Sequence, residues 1–171
     1  MSNGTISRAA LEAKVRGTPP GFRDGWTYGY WKPKDKSFLI LDPVYSLPGS
    51  EDVRQFLLAA RESIKSEDTH STNIWDCDNF SRYLVVEASK YASKLGYIYK
   101  WPLGTVSGYF GWMGDGVAHT CNWVYLAEFE NIDPFRPFAL IEPQSLIDHQ
   151  YSTTYYLEEE GIPGSIRLMI V

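Results

Sequence analysis

The chain of 171 residues is long enough to fold as one domain without a disulfide or a structural metal, and its formal net charge of -5 argues against nucleic-acid binding. It contains neither an apolar run of membrane-spanning length nor a basic then apolar N-terminal signal, so we expect a soluble, cytoplasmic protein. Two cysteines are too few for a disulfide-stapled fold, and reduced thiols are expected. The aromatic fraction of 15% suits an aromatic-rich core, with a ligand groove as the second interpretation.

The N-terminal third is predicted to contain an arm, a hairpin and a helix. Residues 1–25 read as an arm with one short helix at Ser7–Val15, followed by glycines and prolines that break regular structure. The candidate strands Trp26–Trp31 and Ser37–Leu41 flank a charged, proline-containing turn and predict a hairpin. Apolar residues at helical spacing then predict a helix from about Glu51 to Ser66, with two acids in its first turn.

The chain is organised around a second helix, which begins near Cys77. Its predicted buried stripe recurs at spacings of three and four residues and consists of Phe80, Leu84, Ala88, Tyr91 and Leu95. Cys77 lies one turn before this stripe, within the first turn of the helix. Free backbone amides and the positive end of the helix dipole favour a thiolate there, although a buried cysteine also serves as an apolar filler.

Strand patterns dominate after Gly96. The longest candidate is Val117–Phe129, on which His119 and Cys121 share one face. The glycines of Thr105–Trp112 suggest a bulge or an edge strand. The remaining candidate strands are Tyr97–Trp101, Phe138–Glu142, Thr153–Leu157 and Ser165–Val171.

Three residues in this order fit the chemistry of a cysteine nucleophile. Cys77 stands at a helix start, His119 on a strand and Glu142 at the end of the next strand. Such an arrangement supplies a nucleophile, a general base and a carboxylate that orients the base. Taken alone, each has an ordinary structural explanation: packing for the cysteine, capping within the sheet for the histidine, and an ion pair for the glutamate.

Three motifs resemble the transglutaminase-like superfamily. Asp76–Leu84 is similar to the nucleophile helix of that family, Ala118–Leu126 to its histidine strand, and Leu140–Pro143 to its third motif, a strand ending in Asp-Pro. The resemblance covers about residues 74–144. It departs from the family pattern where Glu142 replaces the usual Asp, where Cys121 replaces a Trp, and where Trp123 replaces a common Glu.

The resemblance implies an α+β fold of papain/transglutaminase-like type, with the helix that carries Cys77 packed on an antiparallel sheet. It implies a cysteine-dependent hydrolase or acyl-transferase that acts on a peptide, isopeptide or carboxamide bond through a Cys77, His119 and Glu142 triad. The partner is then a protein or peptide substrate, and neither a cofactor nor a metal is expected. Trp75 and Asn122 are the candidates for substrate or oxyanion contacts.

Other interpretations come from different classes of function. The fold could be retained as a binding or structural module, for example in a phage or bacterial assembly, with the triad as a relic. A metal site built from Cys77, His119 and Cys121 is a third interpretation, because two of these residues lie two apart on one strand face. We expect a single domain over residues 1–171, with residues 74–144 as its core. The sequence leaves the oligomeric state open.

Overall fold

Three helices and eight short strands form the part of the chain that this computed structural model describes, namely residues 4–16, 38–66, 77–110, 118–129, 138–141, 143, 155–156 and 164–170. The helices are α1 (Arg8–Arg16), α2 (Ser50–Ser66) and α3 (Cys77–Lys94). The strands are β1 (Thr5–Ser7), β2 (Phe38–Leu39), β3 (Val44–Ser46), β4 (Leu103–Phe110), β5 (Ala118–Tyr125), β6 (Phe138–Ile141), β7 (Tyr155–Tyr156) and β8 (Gly164–Ile170). A 3-10 turn, Ala127–Phe129, follows β5.

The strands form two sheets. Six of them are ordered β2-β8-β4-β5-β6-β7, with every neighbouring pair antiparallel except β2 and β8, which are parallel. A separate antiparallel pair joins β1 to β3, with Ile6 opposite Tyr45. Helix α3 lies against β4 and β5 in the middle of the larger sheet. The fold class is therefore α+β, with the Cys77 helix on a mainly antiparallel sheet.

All three predicted helices within the described residues are confirmed, and identifiable interactions mark the ends of two of them. The N–H of Ser50 at the start of α2 donates to the Glu128 carboxylate at 2.7 Å, which ties that end of the helix to the turn after β5. Glu51 and Asp52 occupy the first turn of α2, where the helix dipole favours negative charge. Gly96, with a φ of 83°, adopts the left-handed conformation that ends α3.

The predicted buried stripe of α3 is correct at its start and wrong at its end. Phe80, Leu84 and Ala88 are buried, but Leu95 is 47% exposed because α3 ends at Lys94 and Leu95 belongs to the turn. Ala92 is buried instead.

The strand predictions differ in accuracy. The predicted bulge in β4 is confirmed, since its register with β8 shifts between Ser107 and Gly108, but β4 is an interior strand and not an edge. The predicted strand Tyr97–Trp101 is wrong, because the Tyr97 and Trp101 rings pack in the helical core, with centroids 5.5 Å apart, and the segment joins no sheet. The pairing of β1 with β3 was not predicted. The predicted strand Trp26–Trp31 lies outside the described residues, and the domain division stays a prediction.

Candidate functional site

Cys77 is the first residue of α3, as the sequence predicts, and it is partly buried. Asp78 follows it and forms an ion pair with Arg82 one turn later, with 2.7 Å between a guanidinium nitrogen and a carboxylate oxygen. The position at the helix start places the thiol at the positive end of the helix dipole, which in general favours a thiolate.

A buried polar link fixes α3 on the sheet. The Ser81 hydroxyl donates to the Thr120 carbonyl of β5 at 3.1 Å. The side-chain amide of Asn122 donates to the Ser81 carbonyl at 2.9 Å and to the Gly104 carbonyl of β4 at 3.0 Å. Thr120 in turn shares a 2.8 Å hydrogen bond with the Ser107 hydroxyl. The helix, β5 and β4 are therefore held in one register at this point.

The same link brings Cys77 and His119 to one end of the α3–β5 pair. Tyr91 near the end of α3 packs against Trp101, and the carbonyl of the next residue, Pro102, accepts a hydrogen bond from the N–H of Tyr125 at the end of β5. The two elements therefore run in the same direction. Cys77 lies one turn before Ser81, about 6 Å along the helix axis. His119 directly precedes the Thr120 that Ser81 contacts.

His119 and Cys121 of β5 are both buried. His119 is 4% exposed and lies opposite Gly108 of β4, while Cys121 is fully buried opposite Val106. Strand alternation puts His119 and Cys121 on the face opposite to Thr120 and Asn122. Cys77 and Cys121 are not joined by a disulfide. Whether Cys77 and His119 act together stays a prediction.

Of the other predicted site residues, only Asn122 lies within the part of the chain that the structure describes. Glu142 and Trp75 lie outside the described residues. Asn122 is fully buried, and both of its amide hydrogens are engaged with backbone carbonyls, whereas its carbonyl oxygen has no hydrogen-bond partner among the described residues. An oxyanion contact from Asn122 stays a prediction, and it would require one of these donors to be released.

Metal binding by the described residues has no geometric support. Within the described ranges, no group of three or more His, Cys, Asp and Glu side chains is close enough to hold an ion. The interpretation that used Cys77, His119 and Cys121 is therefore not supported. No helix in the part of the chain that the structure describes is long and apolar enough to cross a membrane.

A groove that the sequence analysis missed lies between α2 and α3. It has a volume of about 190 Å³, and Ala59, Ala60 and Ser63 of α2 and Glu87, Tyr91 and Lys94 of α3 contribute to its walls. The sequence feature that could have indicated this groove is the pair of consecutive alanines in α2, Ala59 and Ala60, since small residues at a contact between helices leave space. The sequence alone does not say which residues of α3 face that pair.

The fold is similar to solved lectin structures. A complex of PSL1a with E64 matches 98% of this chain with a TM-score of 0.65 and 14% identity. A complex of Polyporus squamosus lectin with the human-type influenza-binding epitope Neu5Acα2-6Galβ1-4GlcNAc matches 98% with a TM-score of 0.63 and 14% identity. The chain spans about half the length of each of these proteins (50% and 49%). No protein-family model and no curated protein matches the sequence.

These comparisons correct the main functional expectation. One of these structures is that of a lectin bound to a glycan, and this finding overturns the assignment to the transglutaminase-like superfamily. The expectation of a cysteine hydrolase or acyl-transferase with a catalytic triad is contradicted as well, and a protein or peptide substrate is not supported. The three motifs misled because each is short, and the residues of two of them, Asp76–Leu84 and Ala118–Leu126, are also explained by the packing of a helix on a sheet.

Proposed function

We propose that this chain is a binding module whose ligand is a carbohydrate. The observation that carries the proposal is the fold similarity, which extends over 98% of the chain to a lectin that was solved with a bound trisaccharide. Of the interpretations drawn from the sequence, the binding module is the one that this similarity favours. Because the chain spans half of that lectin, the proposal concerns one module and not the whole protein.

The composition and the α2–α3 helix pair support a role in binding. The chain carries 12 tyrosines, 6 tryptophans and 8 phenylalanines, and aromatic rings with a polar edge suit ligands that present both apolar and hydroxyl surfaces. Tyr91 and Tyr97 are partly buried around Trp101, so their rings are held in place while one edge of each reaches the surface. Rings fixed before a ligand arrives lose little conformational entropy on binding.

For the fold we propose the finer description that the sequence predicted, a papain-like arrangement, without the transglutaminase-like assignment. The position of Cys77 at the start of a helix that lies on antiparallel β4 and β5 supports it. The backbone paths of residues 67–76, 111–117 and 130–137 in an experimental structure would test the papain-like description.

Titration calorimetry of the full chain with glycans tests the proposed function. We expect the chain to bind at least one member of a set that includes Neu5Acα2-6Galβ1-4GlcNAc, with a dissociation constant of about 1 mM or tighter. Heat-unfolded chain is the control, because a specific site disappears with the fold. A failure of every glycan in the set to bind the folded chain would contradict the proposal.

A further inference from the structure

The groove between α2 and α3 follows the seam of an antiparallel helix pair. The Ser63 hydroxyl and the Tyr83 hydroxyl are 2.7 Å apart near one end of the seam, and the rings of Phe56 and Tyr91 are 5.6 Å apart towards the other. Ala59 lies between these contacts and has too small a side chain to fill the seam. The cavity of about 190 Å³ results from this gap.

Tyr91 gives the groove a rigid aromatic wall. Its ring is tilted by 53° against Phe56 and by 65° against Trp101, whose centroid is 6.1 Å away. Two such contacts hold the ring in one orientation before any ligand arrives. The Tyr91 hydroxyl makes no hydrogen bond to another described residue, so it is available to a ligand. A fixed ring with a free hydroxyl suits a ligand that has both C–H and O–H surfaces.

The charged groups of the groove favour an anion. Glu87 is 21% exposed, and one of its carboxylate oxygens accepts a hydrogen bond from Lys90 at 2.6 Å. Lys94, one turn further along α3, forms no ion pair with any described residue. One carboxylate and two ammonium groups leave a net charge of +1 beside the Tyr91 ring. The second Glu87 oxygen remains able to accept a hydrogen bond from a ligand hydroxyl.

We propose that the groove between α2 and α3 binds one ring of an acidic sugar, with the sugar face on Tyr91, its carboxylate at Lys94 and a hydroxyl at Glu87. This inference rests on the proposed carbohydrate-binding function and names the site and the ligand class. The volume limits the ligand to a single ring, because cavities for drug-sized ligands measure about 300–1,000 Å³. The rest of a longer glycan would lie outside the groove.

Glucuronate and glucose form a matched pair of probes, because they share one ring and differ by a carboxylate in place of a hydroxymethyl group. Ligand-observed NMR of the full chain is expected to show glucuronate binding about tenfold tighter than glucose, the factor that one charge-assisted hydrogen bond supplies. Ala59→Leu fills the groove and should abolish glucuronate binding. Lys94→Gln should weaken glucuronate binding about tenfold, to the affinity of the wild type for glucose.

Two control variants keep the test specific. Val86→Leu enlarges an exposed side chain of α3 outside the groove by one methylene, and Lys14→Gln removes a surface charge from α1. Both should bind glucuronate as the wild type does. Circular dichroism spectra of Ala59→Leu and Lys94→Gln that match the wild type show that lost binding is not lost folding.

The possible outcomes distinguish a failure of the proposed site from a failure of the proposed function. Glycan binding by the wild type that persists in Ala59→Leu and Lys94→Gln would overturn the groove as the site and leave the proposed function intact. Equal affinity for glucose and glucuronate would overturn the acidic preference. An absence of binding to every sugar, including those in the calorimetric set, would overturn both proposals.

Discussion

The side-chain amide of Asn122 in β5 donates to the backbone carbonyl of Ser81 in α3 at 2.9 Å, and both residues are fully buried. The same amide donates to Gly104 of β4, so one side chain joins a helix to two strands. The predicted core helix is thus held on its sheet by a polar contact as well as by apolar packing.

Replacing Asn122 by Ala should lower the free energy of unfolding by about 2 kcal/mol, because it removes the donor from two buried carbonyl oxygens. Urea denaturation followed by tryptophan fluorescence measures the change. The exposed variant Val86→Ala is the control and should alter stability by less than about 0.5 kcal/mol. If Asn122→Ala also altered stability by less than about 0.5 kcal/mol, water would be replacing the two lost hydrogen bonds.

Replacing Tyr97 by Phe should destabilise the chain by about 1 kcal/mol, since the Tyr97 hydroxyl donates to an Asp52 carboxylate oxygen at 2.5 Å. Burial, followed by this hydrogen bond, raises the pKa of Tyr97 above its usual value of 10.0. A raised folded pKa gives a stability contribution that is present below pH 10.0 and is lost as the pH rises further.

Denaturation of the wild type and Tyr97→Phe across this pH range tests the Tyr97 assignment. The stability difference between the two proteins should shrink above pH 10.0. A difference that is constant with pH would exclude the hydroxyl's role. Tyr99→Phe is a suitable control, because Tyr99 is exposed.

Glu51 should titrate with a pKa of about 2, because hydrogen bonds from the Arg54 guanidinium and then from the Gln55 amide lower it from 4.5. Its small contribution to stability is therefore present above pH 4.5 and is lost as the pH falls towards 2. NMR titration of the carboxyl resonance should show Arg54→Gln moving this pKa back towards 4.5. Arg82→Gln, which breaks a different ion pair in α3, should leave it unchanged.

Iodoacetamide should label Cys77 at least about tenfold faster than Cys121, because Cys77 is partly exposed at a helix start while Cys121 is fully buried in β5. Mass spectrometry of digested protein at timed intervals measures both rates. In Cys77→Ser, label should enter only when denaturant is added. Equal rates at the two thiols would contradict the described position of β5 in the interior of the sheet.

Local patterns in the sequence were enough to predict the helices. Phe80, Leu84 and Ala88 recur at helical spacing and are buried, and the acids at Glu51 and Asp52 mark the first turn of α2. These features depend on neighbours within about one turn of helix, so they can be read from the chain itself. Strands β4, β5 and β6 also lie side by side in the sheet in the order in which they occur in the sequence.

Contacts between residues that are far apart in the sequence determine the parts of the fold that local patterns did not predict. Tyr97–Trp101 has strand-forming residues but packs its rings against Phe56 and Tyr91, because burial outweighs a β preference that spans only about 1 kcal/mol. The short β1 and β3 pair across a long separation in sequence, flanked by hydrogen bonds from Arg8 to Pro43 and from Leu47 to Gly4, and no local pattern marks three-residue strands.

The candidate site residues show the same division. The sequence by itself determined that Cys77 stands at a helix start and that His119 and Asn122 lie on one strand, since both depend on local periodicity. Only the tertiary structure decided that Asn122 bridges Ser81 and Gly104, and that Ala59 faces Glu87 and Tyr91 across a groove. Such relationships depend on the relative placement of whole elements, which is set by the sum of many long-range contacts and is encoded in no single stretch of the chain.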